Sequence, residues 1–286
     1  MPELPEVEAL ALFVGEKASG TTIERAELAS FSALKTFRPP IEALVGRTVV
    51  GATRRGKYLC TDTAGLWLVA HFSRAGWLHW REPVPPARAR PGKGPLALRI
   101  GLSSGAGFDI TEQGTEKRLA LWVVAELEEI DGLARLGPDP LASGFDQAQL
   151  GKVLAATTGQ LKTVLADQSV LAGVGNAYSD EILWAAKLSP FKAVGKLSDD
   201  ELARLYAALR SVLADAVQHS LGQAAKELKD AKRAGMAVHA RGGLACPECG
   251  DTVRDVFLAN RSFQYCPTCQ TGGKVLADRR LSRLLK

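Results

Sequence analysis

Four of the five cysteines fall into two pairs, Cys246-Pro-Glu-Cys249 and Cys266-Pro-Thr-Cys269, with sixteen residues between the pairs. No other feature limits the fold so tightly. Each C-x2-C pair makes a tight knuckle, and two pairs at this separation have the spacing of a zinc ribbon, with room for one hairpin between them. Four thiolates complete a tetrahedron and leave no open position, so one Zn2+ held by Cys246, Cys249, Cys266 and Cys269 is structural. Two disulfides are the competing reading, and they need an oxidising compartment. The fifth cysteine, Cys60, stands alone in an apolar stretch and reads as a buried thiol.

The remaining chain can build two modest domains: it has 286 residues, 46% of them hydrophobic and 23% charged. No apolar run is long enough for a bilayer, and the N-terminus lacks the basic-then-apolar pattern of a leader. The expectation is a cytoplasmic protein with no membrane association. The net charge of +5 is unevenly placed: residues 226–286 hold twelve Lys/Arg against six Asp/Glu, a net of +6, which leaves −1 for all the others. That pattern excludes a uniformly basic protein. It is a local footprint for a polyanion or a solubilising basic tail.

Hydrophobic periodicity divides the chain. Residues 3–18 carry Val7, Leu10, Phe13 and Val14 at helical spacing, ending near Gly20. From 22 to 130, short β-rich runs at 48–50, 58–61, 66–69, 96–100 and 119–124 predict an antiparallel β-sandwich with the first helix packed on it. Residues 81–95, rich in Pro and Arg, read as a mobile loop. Gly137-Pro-Asp-Pro-Leu141 marks a linker, after which helices are predicted over 146–157, 160–166, 176–187, 198–219 and 222–233. Ser198-Asp-Asp-Glu201 has the capping chemistry of a helix start. The stretch 167–176 interrupts the helices with two glycines, and 276–286 reads as a short basic amphipathic helix. The fold class is α+β with two main domains: a sandwich over 1–136 and a helical domain over 137–240. A zinc ribbon over 241–270 and a basic extension over 271–286 follow.

The N-terminus, Met1-Pro-Glu-Leu-Pro-Glu6, reads in two compatible ways. It is a plain helix start, with Pro5 in the first turn and acids following. It also offers chemistry. Trimming of Met1 before a residue as small as Pro exposes a secondary amine, and an α-amino group titrates near ~8 against ~10.4 for Lys. Such an amine attacking a sugar aldehyde carbon gives a charged iminium, an electron sink for elimination. Glu3 and Glu6 stand within four residues of it.

The order of these pieces carries a resemblance. The PELPEVE start precedes Arg55-Gly-Lys57-Tyr-Leu59. Leu-Gly-Pro-Asp-Pro-Leu141 is then followed by Leu161-Lys162 and by Ala172-Gly-Val-Gly-Asn176-Ala-Tyr-Ser-Asp-Glu181. A four-Cys ribbon with Asn260-Arg261 before its second pair closes the set. This resembles the formamidopyrimidine-DNA glycosylase/endonuclease VIII family of base-excision repair enzymes, from Met1 to about Gln270. The resemblance implies a helix-two-turn-helix in the helical domain, a monomer, and double-stranded DNA with damaged bases or abasic sites as partner. It implies that Pro2 attacks C1′ as the Schiff-base nucleophile and that Glu3 manages protons at the sugar ring oxygen. Glu6 positions that site or shuttles protons, and Lys57 is a proton donor beside the sugar-phosphate. Arg261 clamps phosphates and assists the second of two eliminations. Lys162, Asn176 and His71 become DNA contacts, while Glu181 reads as a structural acceptor.

Three stretches depart from the family pattern. Where the oxidised-purine enzymes have H-L-G-M-S-G, this chain has His71-Phe-Ser-Arg74-Ala-Gly76, so Arg74 stands at the position of the inserting Met. The D-P-R-R-F-G loop is replaced by Asp109-Ile-Thr-Glu-Gln-Gly-Thr-Glu-Lys-Arg118, in which Lys117 or Arg118 is the candidate substitute. Residues 222–235 look helical where 8-oxoguanine enzymes carry a lesion-capping loop. Three readings follow. The first is a bifunctional DNA glycosylase/AP lyase for oxidised bases, and the second a relative that binds damage or only cleaves abasic sites, without 8-oxoguanine excision. The third is a zinc-ribbon protein with an accidental Met-Pro start.

Overall fold

The computed structural model describes residues 1–92, 94–223, 225–258 and 261–277. The chain forms two compact units: Met1–Arg135 together with Ser220–Lys229, and Leu136–His219 together with the chain from Asp230 onward. The basic helix expected over 276–286 lies almost wholly outside the described residues.

In the first unit, helix α1 (Leu4–Ala18) is followed by eight strands. These are β1 (Ile23–Leu28), β2 (Gly51–Arg55), β3 (Tyr58–Asp62), β4 (Trp67–His71), β5 (Gly76–Arg81), β6 (Leu96–Leu102), β7 (Gly107–Glu112) and β8 (Ala120–Val124). They make two four-stranded antiparallel sheets, ordered β2-β3-β4-β8 and β1-β6-β7-β5. Register puts Leu59, Ala70 and Leu121 in one row of the first sheet, and Leu98, Ile110 and Leu78 in one row of the second. All of these residues join one buried cluster with Val7, Leu10 and Val14 of α1, which is the core of the unit. The period-2 alternation of the strands is the cause: the inward rows are apolar, and burying them removes the most surface from water.

The outward rows differ. On the first sheet Cys60 and Val69 are buried under Leu127 and Ile130, which precede the short helix α2 (Asp131–Ala134). Burial pushes the Cys60 thiol up to about 12, so it is an inert neutral group. On the second sheet the outward row is Glu27, Arg99, Asp109 and His79. Arg99 grips Asp109 through two bonds of 2.7 and 2.9 Å, and Arg81 adds one of 2.9 Å. Burial alone raises the Asp109 carboxyl, and these guanidinium hydrogen bonds overcome it and hold the group below the usual carboxylate range. The Pro/Arg-rich segment lies over this face as a strap. Arg25 donates to Pro85 O, Arg99 donates to Ala87 O, and Ala89 N donates to Glu27. Val84 packs so closely that a Cβ on Gly107 would sit 2.7 Å from its methyl and 2.1 Å from Ile100 O. The expectation of a loose loop is therefore corrected up to residue 92, because an ionic face needs hydrogen-bonding cover and the strap carbonyls supply it.

Two further expectations shift. Residues 48–50 form no strand, only a bridge from Thr48 to Thr22, and the strand begins at Gly51. Helix over 222–233 shrinks to α7 (Leu228–Ala234). Ahead of it, Trp77 Nε1 donates to Ala225 O at 2.7 Å, and Ala225 and Leu228 enter the core of the first unit. The stretch 137–240 is thus not one continuous body.

The second unit holds α3 (Gln147–Ala155), α4 (Leu161–Leu165), α5 (Asn176–Ala185) and α6 (Asp199–Ser220). It also holds the hairpin of β9 (Arg254–Leu258) and β10 (Arg261–Tyr265), and α8 (Pro267–Thr271). Ser198 opens α6 as its sequence predicts: Ser198 Oγ accepts from Glu201 N and Glu201 accepts from Ser198 N, a reciprocal capping box. Among the described residues no helix is long and apolar enough to cross a membrane.

Candidate active site and nucleic-acid interface

The first unit carries the candidate chemistry. Met1 is exposed, whereas Pro2, Glu3 and Glu6 are buried, so the chain enters the fold at Pro2. Glu3 N donates to Glu6 Oε2 at 2.8 Å. That bond satisfies one of the N–H groups a helix start leaves open and fixes the Pro2-Glu3 segment on α1. Two carboxylates buried at a helix N-terminus are favoured by its dipole. Lys57 lies in the two-residue turn between β2 and β3, since Arg55 pairs with Tyr58. Gly56 has φ +56°, the left-handed first position of a type II′ hairpin turn, which glycine alone takes without strain. Lys57 is 6% exposed.

Arg54 joins these parts and was not singled out from the sequence. Its Nε donates to Glu8 of α1 at 2.6 Å and its Nη1 to Gly56 O at 3.3 Å, so one guanidinium ties the helix to the turn that carries Lys57. His71 ends β4 opposite Tyr58, with ring centroids 4.8 Å apart. Burial and then the Lys57 charge push the His71 imidazole down to about 4. At neutral pH His71 is therefore uncharged, a hydrogen-bonding group rather than a phosphate-pairing cation. Arg74 is exposed on the turn closed by Gly76 N donating to Phe72 O. The next loop is drawn inward: Glu112 accepts from Arg118 N and Leu119 N, and Lys117 Nζ donates to Glu112 O. Gln113 N donates to Ala75 O, so this loop and the Arg74 turn are neighbours.

The second unit carries the candidate DNA contacts. Lys162 is 5% exposed, and its ammonium meets Asn176 O at 2.6 Å, Ser179 Oγ at 2.8 Å and Asp180 Oδ1 at 2.5 Å. Three acceptors engage its three N–H donors. The phosphate contact that the resemblance gave Lys162 is corrected on this ground: its charge is neutralised inside the protein, and it fixes the start of α5. Asp180 also accepts from His239 Nδ1 at 2.7 Å. Asn176 Nδ2 donates to Ser262 O at 2.9 Å, which seats β10, and hence the backbone of Arg261, beside the N-terminus of α5. The Arg261 side chain and Asn260 lie outside what is described. Gln168 was also missed; it holds the glycine turn by donating to Val174 O and accepting from Gly173 N. Glu181 is the structural acceptor the sequence indicates, taking N–H bonds from Ala237, Val238 and His239.

The four paired cysteines converge, with all ligand atoms within 4.8 Å of one another. Cys249 and Cys266 Sγ are 3.3 Å apart, and Cys246 and Cys269 Sγ 3.9 Å. A tetrahedron with metal–sulfur bonds of about 2.3 Å has edges of about 3.8 Å, so the four thiols can hold a metal ion. Trp184 Nε1 donates to Cys246 Sγ at 3.4 Å, an outer contact that orients a ligand.

Known proteins share this arrangement. The model of the formamidopyrimidine-DNA glycosylase N-terminal domain matches residues 1–111, and that of the formamidopyrimidine-DNA glycosylase H2TH domain matches residues 136–227. The chain belongs to the formamidopyrimidine-DNA glycosylase family. A formamidopyrimidine-DNA glycosylase of Thermus thermophilus is 35% identical over 286 residues, covering 96% of this chain and 100% of that one. An uncharacterized formamidopyrimidine-DNA glycosylase-like protein of Mycobacterium tuberculosis is 62% identical over 151 residues, which is 53% of this chain and 94% of that protein. The Lactococcus lactis enzyme, solved in complex with DNA containing N7-benzyl-Fapy-dG, superposes with a TM-score of 0.82 at 25% identity, covering 94% of this chain and all of that one.

Proposed function

We propose that this protein excises damaged bases from double-stranded DNA and cleaves the strand at the resulting abasic site. The observation that carries this reading is the buried Pro2-Glu3-Glu6 start of α1, tied through Glu8 and Arg54 to the turn that bears Lys57. Removal of Met1 converts the Pro2 nitrogen from an amide into a secondary amine. That nitrogen attacks C1′ of the damaged nucleotide, the base departs, and a protonated iminium remains. Glu3 exchanges protons with the sugar ring oxygen. The iminium then draws electrons from the C2′–H bond, which expels the 3′ phosphate, and a second elimination expels the 5′ phosphate. Lys57 donates a proton beside the sugar-phosphate. In the second unit, Asn176 and Arg261 hold the DNA backbone, with Lys162 as the post behind Asn176. The damaged base leaves the stack first, at a cost of a few kcal/mol. The metal the four cysteines would hold is Zn2+, and it shapes the hairpin that presents Arg261.

Borohydride trapping tests this reading on duplexes with an abasic site, 8-oxoguanine or an oxidised pyrimidine. A covalent adduct on a damaged base, absent with Pro2→Gly, supports the full reaction and names the lesion class. No adduct on any duplex would end it. A second reading, abasic-site cleavage or damage binding without 8-oxoguanine excision, is favoured by the loop drawn in on Glu112, where Lys117 is bonded to Glu112 O. It predicts an adduct on the abasic duplex alone, or binding with no adduct.

A further inference from the structure

The first unit has a groove of about 720 Å³ that the proposed reaction does not use. It runs between the strap, at Pro86, Arg88 and Pro91, and residues 31–42. Leu28, Leu34 and Ile41 supply aliphatic lining, and Phe31 and Phe37 stand 71% and 86% exposed beside them. Two phenyl rings that open to water on one groove are an unfilled contact surface. The backbone along the groove is also available. β1 is an edge strand, and Arg25–Leu28 line the groove. Its outer side is bonded at Ile23, by Arg47 and Gly46, and among the described residues no strand pairs with Glu24–Leu28 on that side. An extended chain can add there by main-chain hydrogen bonds.

Charge selects the occupant. Arg25 and Glu27 neutralise each other at 3.0 Å. Arg88 in the lining, with Arg38 and Arg90 next to it in sequence, is exposed, and none of the three forms a hydrogen bond or ion pair among the described residues; Glu42 alone opposes them. This chain's own end, residues 278–286, has four cations and one acid and so the wrong sign. A nucleic acid strand would meet Glu27 and Glu42 and an aliphatic floor without donors, instead of a continuous basic track.

We propose that this groove docks an extended acidic segment of a partner protein. The segment adds to the edge of β1, packs an apolar side chain against Phe31 and Phe37, and meets Arg88 and Arg38 with its carboxylates. The docking is independent of the reaction proposed above.

The test is selection from a displayed library of heptapeptides with two fixed acidic positions, using the full chain, followed by fluorescence anisotropy of the enriched peptide. Acidic peptides with one large apolar residue should emerge. Phe37→Ala and Arg88→Glu should each weaken binding at least tenfold with unchanged thermal melting, while Val50→Ala, an exposed apolar position elsewhere, should not. N-methylation at alternate peptide nitrogens should also weaken it. The proposal fails if no acidic peptide is enriched or if both groove variants bind as wild type. It also fails if labelled oligothymidylate, rather than the peptide, binds and loses affinity in those variants.

Discussion

Lys57 and Lys162 are equally buried, at 6% and 5% exposure, yet their surroundings assign them opposite tasks. Around Lys162 the second unit has gathered a carboxylate, a hydroxyl and a carbonyl, and the carboxylate is itself shared with His239. That lysine is a post on which α5 stands. Around Lys57 the first unit has a two-residue turn, a guanidinium that fixes the turn, and an imidazole that the lysine's charge helps keep neutral. A lysine whose field still acts on its neighbours is suited to chemistry, and one locked into an ion pair to structure. Burial alone does not distinguish them; the identity of the acceptors does.

The largest effect that separates the two regions is metal removal. Structural zinc is worth about 10–16 kcal/mol in small zinc modules, so chelation should unfold the hairpin of the second unit and abolish DNA binding. The melting of the first unit should persist, read by amide exchange on β3, β4 and β8. Uniform loss of protection would mean that the first unit has no independent stability.

The lysines themselves come next. Lys57→Met should lower the strand-cleavage rate by about 10²–10⁴-fold, the range of a positioned proton donor, with the smaller change in unfolding free energy. Lys162→Met should do the reverse. It leaves Asp180 buried beside a neutral side chain and should cost about 3–5 kcal/mol in urea unfolding, while single-turnover cleavage per folded molecule stays near wild type. Equal profiles for both variants would break the comparison.

His71 supplies a pH test. Its folded value of about 4 lies below the ordinary 6.5, so the unfolded chain binds its proton first. The native state should therefore lose stability as pH falls from about 6.5 to about 4, by about 3 kcal/mol in all. His71→Phe should remove that part of the slope, and an unchanged slope would place the titration elsewhere. The smallest effect is expected for Ser179→Ala, which removes one of the Lys162 acceptors and should cost about 1 kcal/mol of stability without changing cleavage.

Much of the fold was legible locally. Helix α1, the capping box at Ser198, the helices after the linker and the four-Cys cluster all depend on residues close in sequence, where period and spacing speak directly. β1, β5 and β7 were not singled out. Glu24, Arg25 and Glu27 interrupt the first, His79 and Arg81 the second, and Asp109 and Glu112 the third. These charges look like breakers until register sets Glu27, Arg99 and Asp109 in one row under the strap. Arg54 escaped notice for the same reason: its partner Glu8 is 46 residues away.

By itself, then, the sequence determined the α+β class, the order of sandwich, helices and ribbon, the four metal-competent thiols, and the Pro2-Glu3 start with Lys57 behind a glycine turn. The tertiary structure alone decided that Lys162 is a post, that the Pro/Arg-rich segment is a strap, and that residues 220–229 rejoin the first unit. The physical reason is the same in each case. Backbone preference and amphipathic period act over a few residues, whereas a buried charge takes its role from whichever partner the fold brings to it, and that partner is set by packing between distant segments.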